Sequence, residues 1–270
     1  MKSAVTLSLV PQAKGGPFVF WDGLADGCQR AASLGFDGVE IFPPAASAIN
    51  KLELRELLDK HRLRLAAMGT GGGWVLQKLS LTNADAGVRT QAKSFIREII
   101  DLAGEFEAPA IIGSMQGRWE GAVPQPQALV WLAEALEELG RHAASKGQVL
   151  LYEPLNRYET NLFNRCVEAA GFFEKLSSGN IRILADLFHM NIEERSVPDA
   201  LREAAKYIGH VHFADSNRRA VGMGHTNMAR VIEALNEIGY EGYLSAEILP
   251  FPDSDIAASQ TIDSFKNYTA

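Results

Sequence analysis

The stretch Leu150-Leu151-Tyr152-Glu153-Pro154-Leu155-Asn156-Arg157-Tyr158-Glu159 decides how this chain is read. An apolar run ends in a carboxylate, and Pro154 stops the strand there because it removes a backbone donor and restricts the residue before it. A charge in such a place is costly unless something binds it. Three later stretches repeat the arrangement: Ile183-Leu184-Ala185-Asp186, Ile208-Gly209-His210-Val211-His212 and Tyr243-Leu244-Ser245-Ala246-Glu247-Ile248. These four strand ends offer three carboxylates and one imidazole, a ligand set that suits a divalent cation.

Outward from that stretch the chain alternates strand and helix. Residues 4–10 read as a first buried strand, followed by a loop carrying Phe18, Phe20 and Trp21. Asp22 can cap a helix that runs to Leu34 and ends at Gly35. A second strand spans 38–42, with Glu40 as its polar member, and a second helix 50–61. A third strand, 63–68, runs into Gly69 and Gly71-Gly72-Gly73, a loop ending in Trp74 that has the freedom to move. A long helix from Asn83 or Asp85 to about Phe106 leads to strand four at 109–112, and Gly113-Ser114-Met115-Gln116-Gly117-Arg118-Trp119 follows as a loop with the polarity of a site. Further helices are predicted at 126–146, 164–176, 198–206, 226–238 and 254–267, and further strands at 148–153, 181–186, 208–214 and 242–249. Eight alternations with short, unbroken apolar strands predict an α/β chain folded as a single (β/α)8 barrel over residues 1–270. The alternative is an open doubly wound sheet, but no glycine-rich phosphate turn follows the first strand. In a barrel of this kind catalytic groups sit at the C-terminal ends of the strands, which is where Glu153, Asp186, His212 and Glu247 fall.

Composition sets outer limits. At 270 residues and 47% hydrophobic content the chain can bury a sizeable core. A net charge of -7 without a long basic run disfavours nucleic acid as a partner. Cys28 and Cys166 fall in predicted helices among apolar neighbours and read as buried core thiols. No stretch has the length of a membrane span and no secretory leader is recognisable, so the expected location is the cytoplasm and no membrane partner is expected.

Beyond the four strand ends, His189 stands three residues after Asp186 and within reach of the same pocket, as a substrate contact. His210 and His212 share one face of their strand, with His210 one layer deeper as structural support. Arg218 can hold an oxyanion or hydroxyl with its fork of donors, while Arg219 reads as solvated. A structural carboxylate paired with an arginine is the plain alternative for Glu153 or Glu247 taken singly. Four such residues on successive strands converge on one end of a barrel, which unrelated salt bridges need not do.

With these residues in place, Glu153-Pro154-Leu155-Asn156-Arg157, Asp186 with His189, Gly209-His210-Val211-His212 with Asn217-Arg218, and Glu247 resemble the motifs of the xylose-isomerase-like sugar isomerase and epimerase superfamily, closest to its D-tagatose and D-psicose 3-epimerase group. The motifs lie between residues 148 and 250; the first half matches only in its rhythm of strands and helices. The resemblance implies one divalent ion, manganese first with magnesium, cobalt or zinc as alternatives, held by Glu153, Asp186, His212 and Glu247. It implies Glu153 and Glu247 as the catalytic acid and base, and Glu159, His189 and Arg218 as contacts to the sugar. A proton beside the carbonyl of a ketose would leave through an enediolate and return on the other face. A dimer or tetramer of identical chains is expected.

Two segments depart from the epimerase pattern, Gly71-Gly72-Gly73-Trp74 and Ser114-Met115-Gln116, and Gly222-Met223-Gly224-His225 ends in a histidine. An isomerase of hydroxypyruvate or another short keto acid, and a dehydratase, would use the same barrel. A DNA-repair endonuclease on this fold would need additional histidines on strand three and after strand four, and a barrel that only binds sugar would not need a carboxylate on each face of a carbon. Strand eight runs into Leu249-Pro250-Phe251-Pro252, poor in free amides, which favours unphosphorylated substrates.

Overall fold

Eight apolar segments, each too short to be a core helix, become parallel strands because a helix between successive strands returns the chain to its starting end. In the computed structural model, which describes residues 1–269, they are β1 (Lys2–Ser8), β2 (Gly38–Phe42), β3 (Arg64–Gly69), β4 (Ala110–Ile112), β5 (Leu150–Tyr152), β6 (Ile181–Asp186), β7 (Ile208–His212) and β8 (Tyr243–Ala246). Each pairs with the next, and β1 closes on β8 with Lys2 opposite Tyr243 and Val5 opposite Ala246. Closure rules out the open doubly wound sheet and leaves no free strand edge.

The outer helices are α1 (Leu24–Leu34), α2 (Lys51–His61), α3 (Gly72–Gln77), α4 (Ala86–Gly104), α5 (Gln125–Ser145), α6 (Cys166–Phe173), α7 (Leu187–Glu193), α8 (Val197–Glu203), α9 (Met228–Glu237) and α10 (Ser254–Thr269). Their boundaries follow local chemistry. Asn50, Asp85 and Asn227 accept backbone N–H groups at the starts of α2, α4 and α9, and Gly35 ends α1 with φ 86°. Asp22 does not cap α1; Gly23 holds that position without a side-chain bond. Cys28 and Cys166 are buried and unpaired, and burial raises both thiols, Cys28 to about 11.

The two faces of each strand have different tasks. Leu150 and Tyr152 pack outward with the helices in the main core, whereas Leu151 joins Ala67, Ile111 and Leu184 in a small separate cluster. Side chains alternate along a strand, so two residues beyond Leu151 and Leu184 the same inward face presents Glu153 and Asp186. The same parity turns Glu40, His210 and His212 inward while Val39, Ile41 and Val211 pack outward. The register sets Asp186 beside His212, and His212 beside Ser245, two residues before Glu247.

Two expectations are corrected. The segment after Asp186, left without a predicted helix, forms α7, because the Asp186 carboxylate accepts from the backbone N–H groups of Phe188 and His189 and starts a turn there. The glycine run after β3 is not an open loop. Gly72 and Gly73 begin α3, and their bare Cα atoms let it lie against Pro43, Pro44 and Met115. A Cβ on Gly72 would run into the Pro43 carbonyl oxygen, which is backbone and cannot swing away. Gly72→Ala is therefore expected to cost about 1–3 kcal/mol. Differential scanning calorimetry should record a melting temperature lower by roughly 2–4 °C per kcal/mol; an unchanged transition would show that α3 can shift freely.

Candidate metal centre and active site

Glu153, Asp186, His212 and Glu247, all picked out from strand ends, meet at the mouth of the barrel. Each offers one donor atom, and the four atoms lie within 4.8 Å of one another. His212 Nδ1 is their hub, 3.4 Å from Asp186 Oδ2, 3.5 Å from Glu153 Oε1 and 3.6 Å from Glu247 Oε2. Asp186 divides its work: Oδ1 starts α7 while Oδ2 faces the centre. Glu153 and Asp186 are 5% and 1% exposed, yet Glu153 Oε1 has no hydrogen-bond partner.

Three groups that the sequence reading left without a role hold this arrangement. Glu40 bridges both histidines, Oε1 at 3.1 Å from His212 Nε2 and Oε2 at 2.8 Å from His210 Nε2. It thereby engages the far nitrogen of His212 and aims Nδ1 at the carboxylates, the arrangement by which a neighbouring carboxylate orients a metal-binding imidazole. His210 is the deeper support expected of it. Gln116, fully buried in the loop after β4, donates through Nε2 to the carbonyl of Glu153 at 2.9 Å and accepts from the Tyr152 hydroxyl. Gly113 is required nearby, because a Cβ there would stand 2.5 Å from Glu153 Oε2. Asp215 accepts from the backbone N–H groups of Ser216, Gly222, Gly224 and Thr226, folding the loop after β7 around one carboxylate. A polar residue on an apolar strand was the available signal for Glu40; nothing local marks Gln116.

The expected substrate contacts surround this centre. His189, fully buried in the first turn of α7, takes the Asn156 backbone N–H on Nδ1 at 3.3 Å. Nδ1 accepts that bond, which makes Nε2 the donor side of the ring; Nε2 has no partner and sits 3.8 Å from Glu153 Oε1. Arg218 reaches Glu247 Oε2 at 2.5 Å and Asp186 Oδ2 at 3.7 Å, with its guanidinium 4.9 Å from the Phe188 ring centre. It adopts φ 58°, a left-handed conformation costing a non-glycine residue about 1–3 kcal/mol. Bonds from Arg218 N–H to the Asp215 carbonyl and from Leu249 N–H to the Arg218 carbonyl hold it there. Glu159 is farther out, 39% exposed, 3.7 Å from Arg218 and bonded to the Asn156 amide. Arg219 is solvent-facing as expected, and His225 lies away from the centre against α8 and α9.

The donor set fits a divalent cation. Three clustered carboxylates and an imidazole are the hard-to-intermediate ligands of magnesium, manganese, cobalt and zinc, and the partnerless Glu153 oxygen has a use only if something positive approaches it. The electrostatics agree. Burial alone would raise the Asp186 carboxyl, but the His189 ring beside it, a hydrogen bond from His212 and the Arg218 guanidinium hold it well below the usual range. Burial would lower His212, yet Glu40 and Glu247 hold it well above. Glu247 goes the other way: burial, with Glu153 and Asp186 adding repulsion against the pull of His212 and Arg218, pushes it up to about 7. Over these groups opens a cavity of about 60 Å³ bounded by Phe18, Phe42, Thr70, Ile111 and Ser114.

A closed parallel barrel whose strand ends converge on three carboxylates and an imidazole defines a (β/α)8 protein with a candidate divalent-metal centre. Over residues 28–268 the sequence matches the xylose isomerase-like TIM barrel family, and the chain belongs to that family. It is similar to the D-psicose 3-epimerase of Agrobacterium fabrum, 30% identical over 241 residues covering 87% of this chain and 79% of that protein. It is similar also to the D-psicose 3-epimerase of Ruminiclostridium cellulolyticum, 28% identical over 233 residues, 81% of this chain and 76% of the other. Its fold matches a crystal structure of D-psicose 3-epimerase with D-tagatose from Clostridium cellulolyticum H10, with TM-score 0.82, 23% identity and coverage of 100% and 98% of the two chains.

Two outcomes are expected from metal-binding calorimetry on stripped protein. Glu40→Gln keeps the size and one acceptor but removes the charge behind His212, and should weaken divalent-ion binding by about 10–100-fold; undiminished affinity would separate Glu40 from the centre. Protons and cation compete for Glu247, whose carboxyl titrates near pH 7, so apparent affinity should rise from pH 6 to pH 8, with protons released on binding. Affinity flat over that range would contradict the raised Glu247.

Proposed function

We propose that this chain is a divalent-metal-dependent ketose epimerase of the isomerase class, acting at the carbon beside the carbonyl of an unphosphorylated sugar. One observation carries the reading: two carboxylates, Glu153 and Glu247, reach the same centre from strands on opposite sides of Asp186 and His212. Similarity to the D-psicose 3-epimerases supports it.

In this reading Glu153, Asp186, His212 and Glu247 hold the ion, with manganese as the resident metal and magnesium, cobalt or zinc as competitors. When bound, the ion would supply Lewis acidity beside the substrate carbonyl, which acidifies the adjacent C–H. One glutamate takes that proton and the other returns one to the opposite face, through an enediolate. The His189 Nε2–H donates to a substrate oxygen, and Arg218 and Glu159 orient the remaining hydroxyls. Arg218 also compensates the crowded negative charge while substrate enters. The chain works as one barrel domain over residues 1–270, in the cytoplasm, as a dimer or tetramer in carbohydrate metabolism; the unpaired thiols of Cys28 and Cys166 agree with a reducing compartment.

Turnover of a ketose in heavy water should place deuterium at the reacting carbon, read by NMR. Glu153→Gln and Glu247→Gln should each slow epimerisation by about 10²–10⁴-fold, while one of them still exchanges deuterium into a single epimer. Product free of deuterium would overturn two-base exchange in favour of a hydride shift or a shielded single-base route.

A further inference from the structure

The cavity over the carboxylates, about 60 Å³, has room for the reacting carbons and little more. Beside it opens a groove of about 690 Å³, roughly tenfold larger and within the ~300–1,000 Å³ range of small-molecule sites. The two adjoin at a shared wall. Ser114 lines both, and Glu159, on the groove wall, reaches Arg218 at 3.7 Å and His189 at 3.9 Å. Arg218, lying between Glu247, Asp186 and Phe188, thus stands next to both the carboxylates and the groove wall.

The lining indicates what it takes. Trp74 and Tyr158, 36% and 77% exposed, present two aromatic surfaces to the groove. Between them stand Ser80, Thr82, Asn83 and Ser114, small hydroxyl and amide groups. The charges are balanced: Lys78 and Arg118 against Glu120 and Glu159, with Lys78 over the Trp74 ring at 5.1 Å and Arg118 3.5 Å from Glu120. A phosphate would want unpaired cations; aromatic faces with neutral hydrogen-bonding groups suit a sugar ring, apolar on its faces and hydroxylated at its rim. Both segments that depart from the epimerase pattern, the one ending in Trp74 and the one beginning at Ser114, contribute to this wall.

We infer that the groove formed by Trp74, Ser114, Arg118 and Tyr158 is a subsite for a neutral glycosyl unit, and that the preferred substrate is a keto sugar extended by a second ring. This deepens the epimerase reading and rests on it. Contacts to a non-reacting ring raise kcat/KM when they help place the reacting carbon. The test holds the reacting sugar constant and varies the attached group: a methyl 3-keto-hexopyranoside against the same keto sugar bearing a glucosyl group, with a free 2-ketohexose and its phosphate ester alongside. Deuterium exchange and kcat/KM are read for each. The glucosyl compound should exceed the methyl glycoside by about tenfold or more, and Trp74→Ala or Tyr158→Ala should bring that ratio toward one with metal content and melting temperature unchanged. Preference for the free ketose or its phosphate, or a ratio insensitive to both substitutions, overturns the subsite and leaves the epimerase reading in place. Exchange with none of the four overturns both.

Discussion

Like charge held at close quarters is the constraint on which this structure depends. Glu153, Asp186 and Glu247 come together around one imidazole nitrogen in a place largely closed to water, where repulsion among carboxylates is poorly screened. Raising Glu247 to about 7 is one response; the guanidinium of Arg218 against two of the three is another. A divalent cation is the third, and the only one that satisfies the partnerless Glu153 oxygen directly.

Such a cluster survives only if the backbone beneath it is rigid, and the barrel supplies that rigidity by strand pairing. Asp186 and His212 are register partners, so their separation is set by the ladder and not by side-chain packing. Behind them Glu40 spans from β2 to β7 across the barrel interior and couples two strands that are not neighbours. The outer contacts are built differently. Asp215 gathers four backbone donors, and that compact turn delivers Arg218 in a left-handed conformation which no strand could provide. Gln116 does the equivalent for the end of β5 from the loop after β4.

The donor groups of the candidate metal centre lie at strand ends. The residues that line the neighbouring groove lie on loops and short helices, α3 and the segment after β4 above all, where the sequence can vary without disturbing the pairing.

The sequence by itself determined the barrel and the cluster of strand-end carboxylates and imidazole that forms its candidate metal centre. Unbroken apolar runs separated by amphipathic segments identify parallel strands, and a carboxylate or imidazole ending such a run is legible because nothing else excuses its cost. Helix starts were legible only in part: Asp85, one of the two starts read for α4, caps it, whereas Asp22 does not cap α1. Tertiary structure alone decided that Glu40 supports His212, 172 residues away, and that Gln116 holds Glu153. It also decided that the glycine run after β3 is a helix wedged against Pro43 and Pro44. Asp186 belongs to both categories. Its place at a strand end could be read directly, but the turn of helix it starts could not, because a seven-residue segment leaves too short a pattern for a helical period to show. Partners brought together by barrel closure leave no mark on sequence spacing, which records only what lies within a turn or two along the chain.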